Sequence, residues 1–311
     1  MNKCLYCYKS LIGEGDFHEK CSKAFFGTAI SPEIPYSLDE MSELAKTIVE
    51  RSISVPGVQP KLSMTYVNDA RKKDYRLTVV GALGGNYIFK PPNEKFQEMP
   101  ENEHLTMRTA ELLGLNVVPS SLIRLKSGEL GYITKRVDRT ESGDKIHMLD
   151  MFQITEGFDK YKSSMEKIAK ALTKYSSNPL LDKLFLFELT IFSFITGNSD
   201  MHLKNFSMLN QNDKWVLAPA YDLLSVKLIL PEDKEELALS LKGKKQKLTR
   251  ADFDQFGLDI GLNQKQINGV FNRFNRNLKN IDLLIKSSFL SEEFQKKYFA
   301  IVQKQYSKIF H

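Results

Sequence analysis

Cysteine is scarce in this chain and confined to its front: Cys4, Cys7 and Cys21 are the only three. A disulfide framework needs more cysteines, spread through the fold, so none is expected. Long apolar runs are missing too. None approaches the roughly 18 residues of a membrane-spanning helix, and the first residues carry cysteines and charges where a signal peptide would carry an apolar core. A cytoplasmic protein without membrane contact is the expectation. Excess charge is small, +6 from 44 basic and 38 acidic residues. That suits phosphorylated ligands or acidic partners but does not by itself argue for nucleic acid. Repeats and low-complexity tracts are absent. What remains is an ordinary globular composition, 42% hydrophobic and 26% charged over 311 residues, enough for about two domains.

The most informative stretch is Gly197-Asn198-Ser199-Asp200-Met201-His202-Leu203-Lys204-Asn205. Asp200 and Asn205 have the D-x-x-x-x-N spacing of a kinase catalytic loop. Phosphoryl transfer needs an Asp to take the hydroxyl proton, an Asn for one Mg²⁺ and a second Asp to hold metal on the phosphates. Residues 206–209 read as a strand, 210–213 as a turn and 215–218 as the returning strand. This hairpin should set Asp222 beside Asn205. Lys204 can contact the γ-phosphate or stabilise developing charge. His202 can shape the loop, touch a phosphate, or be a satisfied core histidine.

Along the chain, Ser37 to Arg51 reads as a helix with an apolar stripe of Leu38, Met41, Leu44, Ala45, Ile48 and Val49. Strands are expected at 62–67, 76–80 and 86–90, a helix at 101–113, and strands at 119–125 and 130–137. Helices should follow at about 164–174, 180–197, 249–258, 263–285 and 291–309. A lobe boundary near residue 140 separates mixed α/β from mainly helical sequence.

The segment Ser52-Ile53-Ser54-Val55-Pro56-Gly57-Val58-Gln59-Pro60-Lys61 can bring backbone N–H groups to phosphate oxygens. It fits neither common glycine-rich phosphate motif, and a structural turn is the other reading. Lys90 ends an apolar strand, where it can reach phosphates or simply meet solvent. Glu103 can pair with Lys90 or complement its helix dipole.

Ser54 to Lys61, Lys90, Arg136-Val137-Asp138-Arg139, Asp200 to Asn205 and Tyr221-Asp222-Leu223-Leu224-Ser225 occur in the order seen in HipA-like serine/threonine kinases, toxins of bacterial toxin–antitoxin systems. The chain resembles that family over about residues 50–310. The resemblance implies an ATP- and Mg²⁺-dependent protein kinase, with Asp200 as catalytic base and Asn205 and Asp222 as Mg²⁺ ligands. It implies nucleotide contacts from Pro56, Gly57, Val58, Gln59, Pro60 and Lys61 as a phosphate loop, from Lys90, from Lys135, Arg136 and Val137 at the adenine, and from His202 and Tyr221. It also implies self-phosphorylation at Ser52 or Ser54, and an aminoacyl-tRNA synthetase as substrate. The Ser52-Ile53-Ser54 pair and the short front end resemble the HipT type. That implies a HipS-like small protein and a HipB-like antitoxin as partners, with DNA reached only through the antitoxin. Pro56 and Pro60 remove two amide donors from the loop. A small-molecule or lipid kinase of the same fold, and a non-catalytic antitoxin-binding protein, are the alternatives.

Cys4-x-x-Cys7 and His18-x-x-Cys21 give two ligand pairs across a ten-residue spacer, the pattern of a structural zinc site. Gly13 and Gly15 can turn the chain between them. The basic run Lys242-Gly243-Lys244-Lys245-Gln246-Lys247 with Arg250 reads as a solvated loop or a contact for an acidic partner. The fold expected is α+β, two-lobed and protein-kinase-like. Residues 1–30 form a zinc module, 31–140 an N-lobe and 141–311 a helical C-lobe.

Overall fold

The computed structural model describes residues 2–51, 61–69, 74–80, 84–93, 95–140 and 142–310. Two units emerge. One comprises Met1–His104, Val118–Asp144 and Ser287–Phe289, the other Leu105–Val117, Lys145–Lys286 and Leu290–His311.

The first unit opens with a cysteine-bearing turn and α1 (Glu19–Phe26), then α2 (Leu38–Arg51). Strands β1 (Leu62–Asp69), β2 (Asp74–Val79) and β3 (Tyr87–Lys90) precede α3 (Met99–Leu112), and β4 (Ser120–Arg124) and β5 (Leu130–Lys135) follow. The five strands form one sheet in the order β2-β1-β3-β5-β4, with every pairing antiparallel. Alternation along the strands sends Leu62, Met64, Leu77, Tyr87, Phe89 and Ile133 into one core with Phe25 and Phe26 of α1 and Met41 of α2. Lys90 and its cross-strand partner Tyr132 fall on the other face.

Gly131 of β5 sits under the Phe89 ring, and a Cβ there would run into that ring and approach the Lys90 carbonyl at 3.3 Å. Gly131→Ala is expected to destabilise the protein by about 1–3 kcal/mol, read as a lower urea midpoint at unchanged slope.

The second unit contains β6 (Met148–Asp150), α4 (Met151–Ile154), α5 (Met165–Tyr175) and α6 (Pro179–Thr196). A 3-10 turn (Leu203–Asn205) leads into β7 (Ser207–Gln211) and β8 (Lys214–Leu217). Then come α7 (Val226–Ile229), α8 (Arg250–Asp259), α9 (Gln264–Arg276), α10 (Leu278–Ser287) and α11 (Glu292–Phe310). The small sheet runs β6-β7-β8. Helix α6 is its spine. Phe187 stacks on Phe256 and meets Phe271 edge-on, Phe194 meets Phe253 edge-on, and Tyr298 and Val302 of α11 are fully buried. At the start of α6, Asp182 Oδ2 accepts from Ser176 Oγ at 2.6 Å and from the Leu217 amide at 2.8 Å, which ties the end of β8 to the helix.

Several elements differ from expectation for local reasons. The 263–285 helix is broken at Asn277, whose side chain bonds back to the Arg273 carbonyl at 2.9 Å while its own carbonyl accepts from Ile281. The β7–β8 turn tightens to Asn212 and Asp213, both left-handed at φ 51° and 61°, as a two-residue hairpin requires. The unforeseen α1, β6 and α4 are short; α4 relies on an Asp150–Gln153 capping box. No helix of the described residues is long and apolar enough to cross a membrane.

Candidate active site and metal centre

Helix α6 stops at Gly197, left-handed at φ 66°, and the next residues form the loop that carries Asp200. The loop is pinned by its own backbone. Asn198 Oδ1 accepts from the Asp200 amide at 3.2 Å, the Asp200 carbonyl accepts from the His202 amide at 2.8 Å, and Asn205 Nδ2 donates to that same carbonyl at 3.0 Å. Asn205 is 6% exposed, and its Oδ1 accepts no hydrogen bond among the described residues. Its amide is therefore oriented with the nitrogen spent and the oxygen available, the sense a cation needs.

The hairpin returns Tyr221 to this loop. Its hydroxyl meets Ser207 Oγ at 2.5 Å and the Lys204 carbonyl at 3.1 Å, bracketing Asn205. Tyr221 thus braces the loop with its hydroxyl. Asp222 follows in the left-handed region at φ 60°, a conformation that Asp tolerates better than most residues, and its charge reaches His202.

His202 is buried, and its Nδ1 has no hydrogen-bond partner among the described residues. Burial lowers its pKa; Asp200 opposes that and Lys160 reinforces it. An orphaned ring nitrogen and a bare amide oxygen in one loop are polar groups suited to a metal-bound nucleotide. Lys204 is exposed, with its ammonium 5.0 Å from the Phe152 ring centre.

Sequence reasoning missed Tyr161. Its phenol donates to Asp200 Oδ1 at 2.6 Å, and its ring meets His202 edge-on at 5.1 Å. The Lys160 carbonyl accepts from the Leu203 amide at 3.1 Å, so this segment is laced to the loop. Burial and then the bond to Asp200 push the phenol's pKa up, which keeps it a donor. Asp200 Oδ2 has no partner among the described residues, so it is open to a further hydrogen-bond donor. Tyr161→Phe is expected to lower kcat for phosphoryl transfer about tenfold while nucleotide affinity and melting temperature hold, a loss of orientation alone. Steady-state kinetics and a thermal melt check this.

In the first unit, Lys90 Nζ meets Glu103 Oε1 at 2.6 Å, with side chains 4% and 1% exposed. The ammonium also lies 5.4 Å from the Tyr132 ring centre. Lys135 is opposite Tyr87 in register, so its side chain lies on the core face of the sheet, away from Lys90. Only its backbone is open to a ligand on the Lys90 face, which narrows the role expected for it. Arg136 is engaged as well: its guanidinium bonds both Asp138 oxygens at 2.8 and 2.7 Å and Ser63 Oγ at 3.2 Å. Val137 lies in the turn after β5, and Lys61 is exposed just before β1. Ser52, Ser54, Pro56, Gly57, Val58, Gln59 and Pro60 lie outside the described residues.

Cys4, Cys7, His18 and Cys21 do converge, with all four donor atoms within 4.8 Å of one another. Cys4 and Cys7 flank a tight turn closed by Tyr8 N–H to the Cys4 carbonyl at 2.9 Å. His18 caps α1, and Cys21 lies in its first turn. His18 Nδ1 stands 3.4 Å from Cys7 Sγ and 3.7 Å from Cys21 Sγ, close to the edges of a tetrahedron of about 2.0–2.3 Å ligand bonds. Its Nε2 faces the Ser10 carbonyl at 3.0 Å, which fixes the tautomer that bares Nδ1. Burial, then the negative charge of Cys4, push the Cys21 thiol up to about 12, crowding that a dication would relieve.

The basic run is largely spent. Lys242 pairs with Asp259 at 2.6 Å, Lys244 with Asp252 at 2.8 Å and Lys245 with Glu235 at 3.3 Å.

The chain is 30% identical to a protein named "Putative kinase" from Haemophilus influenzae over 76% of its own length and 75% of the relative's. It is 27% identical to the serine/threonine-protein kinase toxin HipA of Shewanella oneidensis, over 61% of this chain and 46% of that one. It thus spans less than half of the toxin it matches. A solved chain from the S. oneidensis complex of HipA, HipB and operator DNA superposes with a TM-score of 0.68 at 22% identity, covering 88% of this chain and 70% of that one. The fold is therefore the α+β, kinase-like fold expected. With residues 53–281 matching the model of the HipA-like C-terminal domain, a span that holds Lys90, Glu103, Asp200, Asn205 and Asp222, the chain belongs to the HipA-like C-terminal domain family.

Proposed function

We propose that the chain is a Mg-ATP-dependent serine/threonine protein kinase acting as the toxin of a HipBST-like system. The observation that carries this reading is the pinned loop in which a half-exposed Asp200 carboxylate lies next to the inward-turned Asn205 amide. Asp200 accepts the proton of the attacking hydroxyl at Oδ2. Lys90, held by Glu103, binds ATP phosphates, and the family resemblance adds residues 56–61 to the phosphate contacts and the backbone at 135–137 to the adenine contacts. Lys204 swings from Phe152 to developing charge on the transferred group. Asn205 and Asp222 hold magnesium, which when bound neutralises phosphate charge. Cys4, Cys7, His18 and Cys21 hold a structural zinc.

The S. oneidensis complex with HipB and operator DNA supports an antitoxin partner and DNA contact through it. A HipS-like partner, an aminoacyl-tRNA synthetase substrate, self-phosphorylation at Ser52 or Ser54, and a cytoplasmic location complete the reading by family resemblance. The test is incubation of the purified chain with Mg-[γ-³²P]ATP and cell extract, followed by phosphopeptide mass spectrometry. Label on serine or threonine of a protein is expected. Label confined to the non-protein fraction would assign a small-molecule kinase.

A further inference from the structure

We propose that the zinc knuckle positions the Lys90–Glu103 ion pair, so that metal occupancy sets nucleotide affinity. The inference rests on the zinc and Lys90 roles proposed above. Its link is Tyr8, the residue after Cys7. Tyr8 is left-handed at φ 65°, a strained state for an aromatic residue. It is held there by its own N–H to the Cys4 carbonyl and by Cys4 N–H to the Lys9 carbonyl, both 2.9 Å. These bonds are the knuckle itself, and a metal on Cys4 and Cys7 locks them.

From that backbone the Tyr8 side chain, 3% exposed, reaches His104 on α3. Its hydroxyl lies 3.0 Å from His104 Nδ1, the rings meet edge-on at 5.2 Å, and Phe289 closes the other side at 5.6 Å. His104 is fully buried and directly follows Glu103. A phenol that fixes His104 fixes the rotation of the first turns of α3, and with it the direction of the Glu103 carboxylate.

A second contact acts in the same sense. The Leu5 carbonyl, inside the knuckle, accepts from the Leu122 amide of β4 at 3.4 Å, and Phe25 and Phe26 of the Cys21-bearing helix pack in one core with Phe89, the neighbour of Lys90. Both ends of the ion pair therefore lean on elements that the four ligands hold together. Without metal, the left-handed Tyr8 loses the constraint that offsets its strain, and the carboxylate loses its fixed approach to Lys90.

The experiment is a double-mutant cycle on the full chain, read by calorimetric affinity for AMP-PNP with Mg²⁺ and by zinc content from mass spectrometry. Tyr8→Phe keeps the ring and the four ligands, so zinc content should stay at one per chain and melting should fall by only a few degrees for the lost buried hydrogen bond, while affinity falls about fivefold. Glu103→Gln alone should weaken binding about tenfold, and Tyr8→Phe should add less than twofold to it. A Tyr8→Phe protein with wild-type affinity, or effects that add in full, overturns the inference. A chain that binds neither Zn²⁺ nor Co²⁺ overturns the zinc reading. A Glu103→Gln protein with wild-type affinity overturns the nucleotide role of Lys90.

Discussion

Asp200→Asn is expected to lower phosphoryl transfer by roughly 10²–10⁴-fold, the range for loss of a general base. Asn is close in shape to Asp and keeps an oxygen for the Tyr161 phenol, which now donates to Oδ1 at 2.6 Å. The backbone around it does not depend on the carboxylate, because the Asn205 amide and the His202 N–H bond the Asp200 carbonyl. Melting temperature and nucleotide affinity should therefore hold while the single-turnover rate with labelled ATP collapses. Equal turnover by the two proteins would remove Asp200 from the chemistry and return the chain to the binding-protein alternative.

Lys90→Met is expected to act on stability as well as on activity. The ion pair is almost fully enclosed, with side chains 4% and 1% exposed, so removing the ammonium leaves a buried carboxylate without its counter-charge. Breaking such a pair costs about 3–5 kcal/mol. Adding Glu103→Leu removes the stranded charge and should return most of that loss, since a well-packed apolar pair often replaces a buried ion pair without penalty. Activity should not return, because the ammonium proposed to bind the ATP phosphates is still missing. Urea titration and a turnover assay on the two variants separate these effects. A double variant that regains activity would mean Lys90 has a purely structural part.

The features legible in the sequence were those whose geometry is local. Asp200 and Asn205 are five positions apart in one loop, and the Cys4–Cys7 and His18–Cys21 pairs each span a single turn, so spacing alone brings their atoms together. The return of Tyr221 to the Asp200 loop needed one further step, the hairpin, and Asn212-Asp213 supplied a turn even tighter than expected. Tyr161 carried no such signal: it meets Asp200 from 39 positions away, through packing that no periodicity encodes. Tyr8 and His104 are 96 positions apart and were invisible for the same reason. Lys135 shows a different limit. Its place in the strand was evident, but the face it takes depends on strand register, which fixes parity only once Tyr87 is known to lie opposite. The long helix expected at 263–285 looked continuous because its apolar period continues across Asn277, while the break comes from a side-chain hydrogen bond.

The left-handed backbone of Asp222 bears on how its neighbourhood should be dissected. At φ 60° an alanine gains strain at the same moment that it loses the carboxylate. An alanine scan would then credit electrostatics with a loss that partly belongs to backbone geometry. Asparagine is comfortable in that region and removes the charge alone, and glycine relieves the backbone and removes the side chain altogether. Comparing those two replacements apportions the residue's contribution between where the chain turns and what it carries.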